Sequence, residues 1–130
     1  MMIAPVTIFS FQGRYKMNGG NPDLKKLWDA GKLPTVKHGF YGDELTHQNI
    51  SREHLEPASK GGTKRFGNIV LASKEKNNAR GNKDINLFAN VIKAREYLSQ
   101  FIGIKIPELN GHKYIQEVVD TLRRLGFDLK

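Results

Sequence analysis

Residues 50–62 read ISREHLEPASKGG: a glutamate directly before a histidine, a proline three residues on, and then a basic Gly-Gly turn. A short strand running into a proline-initiated loop accounts for the backbone. An acid able to hold a metal beside an imidazole able to take a proton accounts for the side chains. The residues that follow decide between a bare turn and a site. GGTKRFG reads as a loop, NIVLA (68–72) as a second strand, and SKEKNNARGNK (73–83) as a short helix capped by Ser73 and ended near Gly81. The predicted order is strand, loop, strand, helix. Leu55 and the run Ile69 to Leu71 face inward and bury a small apolar surface against the helix.

The spacing within this unit is specific. Glu53 and His54 are adjacent, Asn68 opens the second strand 14 residues after His54, and Asn77 follows nine residues later on the helix. Over residues 36–83 the chain resembles the HNH endonuclease family. That family has an acid-His pair ending one strand, a proline and Gly-Gly loop, an Asn before an apolar strand, and a His or Asn on the next helix. Here those parts are EHLEPASKGG, NIVLA and EKNNARGNK. Each part alone is ordinary: an acid-His pair is usually two polar residues facing solvent and Gly61-Gly62 usually a turn. The strand and helix context in the right order carries the resemblance.

The resemblance implies a ββα-metal core within an α+β fold, and a metal-dependent endonuclease acting on DNA. Phosphodiester hydrolysis needs an in-line water and neutralised phosphate charge, so positioning and electrostatics dominate. By resemblance, Glu53 and Asn77 supply oxygen ligands to one divalent ion, with Mg²⁺ or Mn²⁺ suited to such donors. His54 is the implied general base, since an imidazole can be neutral at about pH 7. Asn68 is implied to bond backbone across the loop and so fix how His54 is presented. Asn78 is a rival to Asn77, which the spacing favours. The acid before the histidine is more often Asp in this family, so Glu53 reaches one methylene further. Successive strand residues face opposite ways, so the Glu53-His54 pair is expected at a frayed strand end.

Many family members carry two Cys-x-x-Cys pairs that hold a structural zinc. The chain has no cysteine, and the matching positions are His38, Tyr41, Ser73 and Lys76. They offer one good ligand and a lysine, so no structural zinc is expected. Phe40 and Tyr41 are expected to pack in its place, with the terminal helices adding rigidity. His47 and His112 read as surface or capping residues. GGTKR lacks the spacing of a phosphate-binding Walker loop.

At 130 residues the chain is read as a single domain, and its formal charge is +8. From Lys60 to Lys83 seven basic residues face Glu75 alone, which places +6 of that charge beside the opening stretch. Such a patch suits a nucleic acid backbone, and Lys60, Lys64, Arg65, Lys74, Lys76 and Arg80 are the candidate phosphate contacts. Residues 1–34 open with a possible strand, VTIFSF, and a short helix after Asn21, with Asn21 as cap, Pro22 in the first position and Trp28 as core anchor. Residues 84–130 form a helical extension: one stripe on Leu87, Val91, Tyr97, Leu98 and Phe101, a second on Ile115, Val118, Val119, Leu122 and Leu125, with IPELNG breaking between them.

No apolar run approaches the roughly 20 residues of a membrane span, and a soluble, cytoplasmic chain is expected. Lack of cysteine permits that compartment. The alternative to a nuclease is a nucleic-acid-binding module on the same scaffold that cleaves nothing. A phage or mobile-element setting suits the size. Neither the DNA sequence recognised nor the choice between monomer and homodimer is encoded in any motif of the flanks.

Overall fold

The computed structural model describes residues 22–129, so the possible strand in VTIFSF and the cap at Asn21 lie outside the described residues. The elements run α1 (Leu24–Asp29), β1 (Ile50–His54), β2 (Ile69–Ser73), α2 (Lys74–Arg80), α3 (Ile85–Phe88), α4 (Val91–Ser99), β3 (Lys105–Ile106), β4 (Leu109–Asn110) and α5 (Gly111–Arg124). The fold is mixed helix and strand, with two small antiparallel ribbons, β1-β2 and β3-β4. Asp23 caps α1, its carboxylate accepting the Lys26 N–H, so Pro22 precedes the helix rather than opening it.

The β1-β2 ribbon is the centre of the molecule. Ile50 pairs with Ser73, Arg52 with Leu71, Glu53 with Val70 and His54 with Ile69. Val70, Leu71 and Ala72 are all fully buried, so β2 is covered on both faces, which suits its unbroken apolar run. Helix α2 follows β2 without a loop. Ser73 Oγ accepts the Lys76 N–H at 3.1 Å, and Gly81 ends the helix, as the sequence predicts.

The outer edge of β2 has no strand partner among the described residues, and side chains take its polar groups instead. Tyr97 Oη accepts the Leu71 N–H at 3.0 Å and donates to Tyr114 Oη at 2.9 Å, and Tyr114 Oη donates to the Ile69 carbonyl at 2.7 Å. The Phe40 N–H takes the Leu71 carbonyl at 2.9 Å. An edge covered in this way is closed to a further strand. Burial raises the phenol pKa of both Tyr97 and Tyr114, which keeps the hydroxyls protonated as donors.

The stretch from Val36 to Leu45 packs against this edge. Phe40 is fully buried, 5.8 Å from the Tyr97 ring in an edge contact, and Asp43 Oδ2 accepts the Ser73 N–H at the β2–α2 junction. Gln100, just after α4, fastens the same stretch: Oε1 accepts the Lys37 and His38 N–H groups at 2.8 and 2.9 Å, and Nε2 donates to the His38 carbonyl at 2.9 Å. Of the four positions matched to zinc-binding cysteines, Ser73 is the α2 cap, Tyr41 is part-buried, and His38 and Lys76 are exposed.

Two expectations for the C-terminal part need correction. The first stripe is not one helix: it breaks at Ala89, and Asn90 caps a new helix through its side-chain oxygen and the Lys93 N–H. Leu87 is 81 % exposed and leaves the core to Ile85, because α3 is a single turn whose inward side carries Ile85 and, against Tyr41, Phe88. The IPELNG segment is a breaker, as predicted, but takes the form of the β3-β4 ribbon. In α5 the buried face is Gly111, Tyr114, Val118 and Leu122, with Ile115, Val119 and Leu125 packed at its margin. Trp28 packs at the margin of the core and donates its indole N–H to the Val36 carbonyl at 2.7 Å.

Candidate active site

The loop between β1 and β2 folds back onto the end of β1 and is held there by Asn68. Its Oδ1 accepts the Glu56 N–H at 2.8 Å, and Nδ2 donates to the carbonyls of Glu56 at 3.2 Å and Thr63 at 2.7 Å. Its own carbonyl accepts the Leu55 N–H at 2.8 Å. Only 5 % exposed, this amide ties both ends of the loop to the residues just after His54. The close fit explains Gly62, where a Cβ would lie 1.7 Å from the Glu56 carbonyl oxygen. On the far side Gly67 meets α5, where a Cβ would lie 2.5 Å from the Glu117 carbonyl oxygen.

Replacing Asn68 by alanine removes the partner of two carbonyls and one N–H in a part-buried loop, so a loss of about 1 kcal/mol per bond, the net worth of one hydrogen bond, is the scale. The expected result is a lowered urea midpoint together with faster proteolysis between Glu56 and Thr63. A variant with unchanged midpoint and unchanged cleavage at that loop refutes the bracing role.

His54 ends β1 and is half-buried. Neither ring nitrogen has a hydrogen-bond partner among the described residues. Burial lowers its pKa from the ordinary imidazole value, and the positive charge of Lys64 lowers it further. The neutral form, with one nitrogen lone pair free, is therefore favoured at neutral pH. The pair is not at a frayed end: both residues are paired with β2, and they leave the ribbon on opposite faces.

Glu53 points inward and is 3 % exposed. Its Oε2 accepts the Tyr41 hydroxyl at 2.5 Å and lies 3.4 Å from Arg80 Nη1. Burial raises the carboxyl pKa, opposed by the hydroxyl donor and by the guanidinium. Burial, reinforced by the same carboxylate, raises the Tyr41 phenol well above its usual range.

Arg80, expected at the surface as a phosphate contact, is instead 1 % exposed. Its guanidinium donates to three main-chain carbonyls, each at 2.7 Å: Lys83 from Nε, His54 from Nη1 and Leu55 from Nη2. The reason is helical spacing: Arg80 lies three residues after Asn77, on the α2 face turned to β1. Asn77 also faces β1, its Nδ2 donating to Ser51 Oγ at 3.1 Å and to the Arg52 carbonyl at 3.0 Å, whereas Asn78 is exposed.

Lys60, Lys64, Arg65, Lys74 and Lys76 are all exposed. The structure thus gathers Glu53, Asn77, Arg80 and Tyr41 about one face of β1, and His54 with Lys64 on the other. Tyr41 and the inward turn of Arg80 escape sequence reading. For Arg80 the i, i+3 relation to Asn77 was an available signal, while nothing in the sequence marks the Tyr41 hydroxyl.

A divalent ion on Glu53 and Asn77, as the resemblance implies, does not fit this arrangement as it stands. The carboxylate already faces a guanidinium, is almost wholly buried, and has a hydroxyl on the oxygen nearest Arg80. A second cation beside Arg80 meets like charge in a poorly solvated place. Among the described residues no three His, Cys, Asp or Glu side chains group as metal ligands. No helix among the described residues is long and apolar enough to cross a membrane. No family model matches the chain, and neither a curated protein nor a solved structure matches it.

Proposed function

We propose that the chain is an HNH-type endonuclease that hydrolyses DNA phosphodiester bonds, with residues 36–83 as its ββα core. The observation that carries this reading is the site around His54: a half-buried imidazole biased to its neutral form, at the end of a strand whose following loop is braced by Asn68. His54 takes a proton from the attacking water. The exposed Lys60, Lys64, Arg65, Lys74 and Lys76 hold the phosphate backbone, which positions DNA without selecting a sequence. A divalent ion would supply charge neutralisation at the scissile phosphate.

The engaged carboxylate of Glu53 favours a second reading, a module that binds DNA and leaves it intact. One experiment separates them. Supercoiled plasmid is incubated with the protein in Mg²⁺ or Mn²⁺, beside His54→Ala, with DNA binding followed in parallel at low salt. Nicking by the wild type and not by the variant supports the nuclease. Binding without nicking across metals and pH selects the binding module. Equal nicking by both removes His54 from the role of base.

A further inference from the structure

We propose that the buried Glu53–Arg80 pair is the positioning device of His54: it holds the main chain on either side of the imidazole and so sets where the ring stands. This rests on the nuclease reading and gives the acid beside the histidine a role other than holding an ion. A histidine base is commonly oriented by a hydrogen bond to its second ring nitrogen. His54 has no such partner among the described residues, so its orientation has to come through the backbone.

Arg80 supplies that hold. Its Nη1 donates to the His54 carbonyl and its Nη2 to the Leu55 carbonyl, both at 2.7 Å. Successive carbonyls of a regular strand point to opposite edges, so one planar fork meets both only where the chain leaves that geometry. Strand β1 ends at His54. The guanidinium therefore fixes the bend at which the imidazole leaves the ribbon. Its third bond, from Nε to the Lys83 carbonyl at 2.7 Å, anchors it beyond the end of α2. Glu53 completes the hold: its Oε2 lies 3.4 Å from Nη1, and the His54 N–H also bonds this carboxylate. The N–H and the carbonyl of His54 thus end on the same ion pair. Glu53 and His54 leave the ribbon on opposite faces, so the pair reaches the histidine through its main chain and not through its ring.

The test compares the full chain with its Arg80→Lys variant, which keeps a cation for Glu53 but replaces the fork by a single nitrogen that cannot span the same carbonyls. The expected result for plasmid nicking is a kcat lower by about 10²-fold, the scale of a reacting group misplaced by about 1 Å, with KM unchanged. The His54 Cε1–Hε1 resonance should shift in the variant while the side-chain amide resonances of Asn68 stay, which places the change at the imidazole and not in the fold at large. An unchanged kcat or an unmoved imidazole resonance overturns the positioning role, and a raised KM with kcat unaltered makes Arg80 a DNA contact instead. A second measurement needs no variant. In the wild type the Nη hydrogens of a guanidinium held by these bonds give separate, slowly exchanging signals, and a single averaged signal for Arg80 refutes the hold.

The outcome is separable from that of the nuclease reading. A displaced imidazole in Arg80→Lys, with plasmid left intact by both proteins, upholds the positioning and sinks the nuclease. Nicking at equal rates by both, with the imidazole unmoved, sinks the positioning alone. Intact plasmid together with an unmoved imidazole sinks both.

Discussion

Arg80→Ala is expected to lower the unfolding free energy by about 3–5 kcal/mol, the range found when one partner of a buried ion pair is removed. Two losses combine. Glu53 keeps its charge in a buried place without its guanidinium partner, and the carbonyls of His54, Leu55 and Lys83 lose their donors at once. Guanidinium chloride unfolding measures the sum. A double variant, Arg80→Ala with Glu53→Gln, should recover part of the loss, because the neutral amide no longer demands a counter-charge; the remainder reports the carbonyls. Lys76→Ala, on the exposed face of the same helix, should stay within about 0.5 kcal/mol of the wild type. An Arg80→Ala loss as small as that of Lys76→Ala would show the guanidinium to be a surface group after all.

If the proposed nuclease reading holds, the largest effect on activity is expected at His54. A positioned general base contributes about 10²–10⁴-fold, so His54→Ala should reduce nicking by that factor with DNA binding little changed. The pH dependence carries the sign. Burial and Lys64 lower the imidazole pKa, so the neutral base persists to lower pH than an ordinary histidine, and the rate is lost only as pH falls through that lowered value. The acid limb of kcat/KM should therefore lie below about 6.5, the ordinary histidine value. Lys64→Ala removes one of the two causes and should move the limb upward. An acid limb above the ordinary value in the wild type, or one that Lys64→Ala leaves in place, contradicts this account of His54.

The ribbon and its helix were legible because their signals are local. Ser73 caps α2 and Gly81 ends it through groups within one turn, and the Asn68 amide bonds the Thr63 carbonyl five residues back in the chain. Glu53 was legible as an acid beside a histidine but not as a buried one, since its partners, Tyr41 and Arg80, come from segments 12 and 27 residues distant. The expectation of a surface Arg80 followed from counting charge along the chain, and a count holds no information about which way a side chain turns. The break at Ala89 was hidden for a related reason. Leu87 and Val91 share helical spacing, yet Asn90 gains more by capping a new helix than by continuing the old one. Tyr114 was missed among the apolar residues of α5, although its ring fills the core and its hydroxyl reaches Ile69.

The covered edge of β2 also bears on how the chain is born. Two of its covering groups, Tyr97 and Tyr114, are encoded after it, so while the protein is being synthesised the Leu71 N–H and the Ile69 carbonyl emerge uncovered. At about 5–20 residues per second, Tyr114 leaves roughly 2–8 s behind Ser73. For that interval an apolar strand with open N–H and C=O groups is free to pair with the same strand of a neighbouring nascent chain on the same message. The two tyrosines thus do more than finish the folded molecule: the delay before they arrive sets the window in which crowded ribosomes can drive it to aggregate.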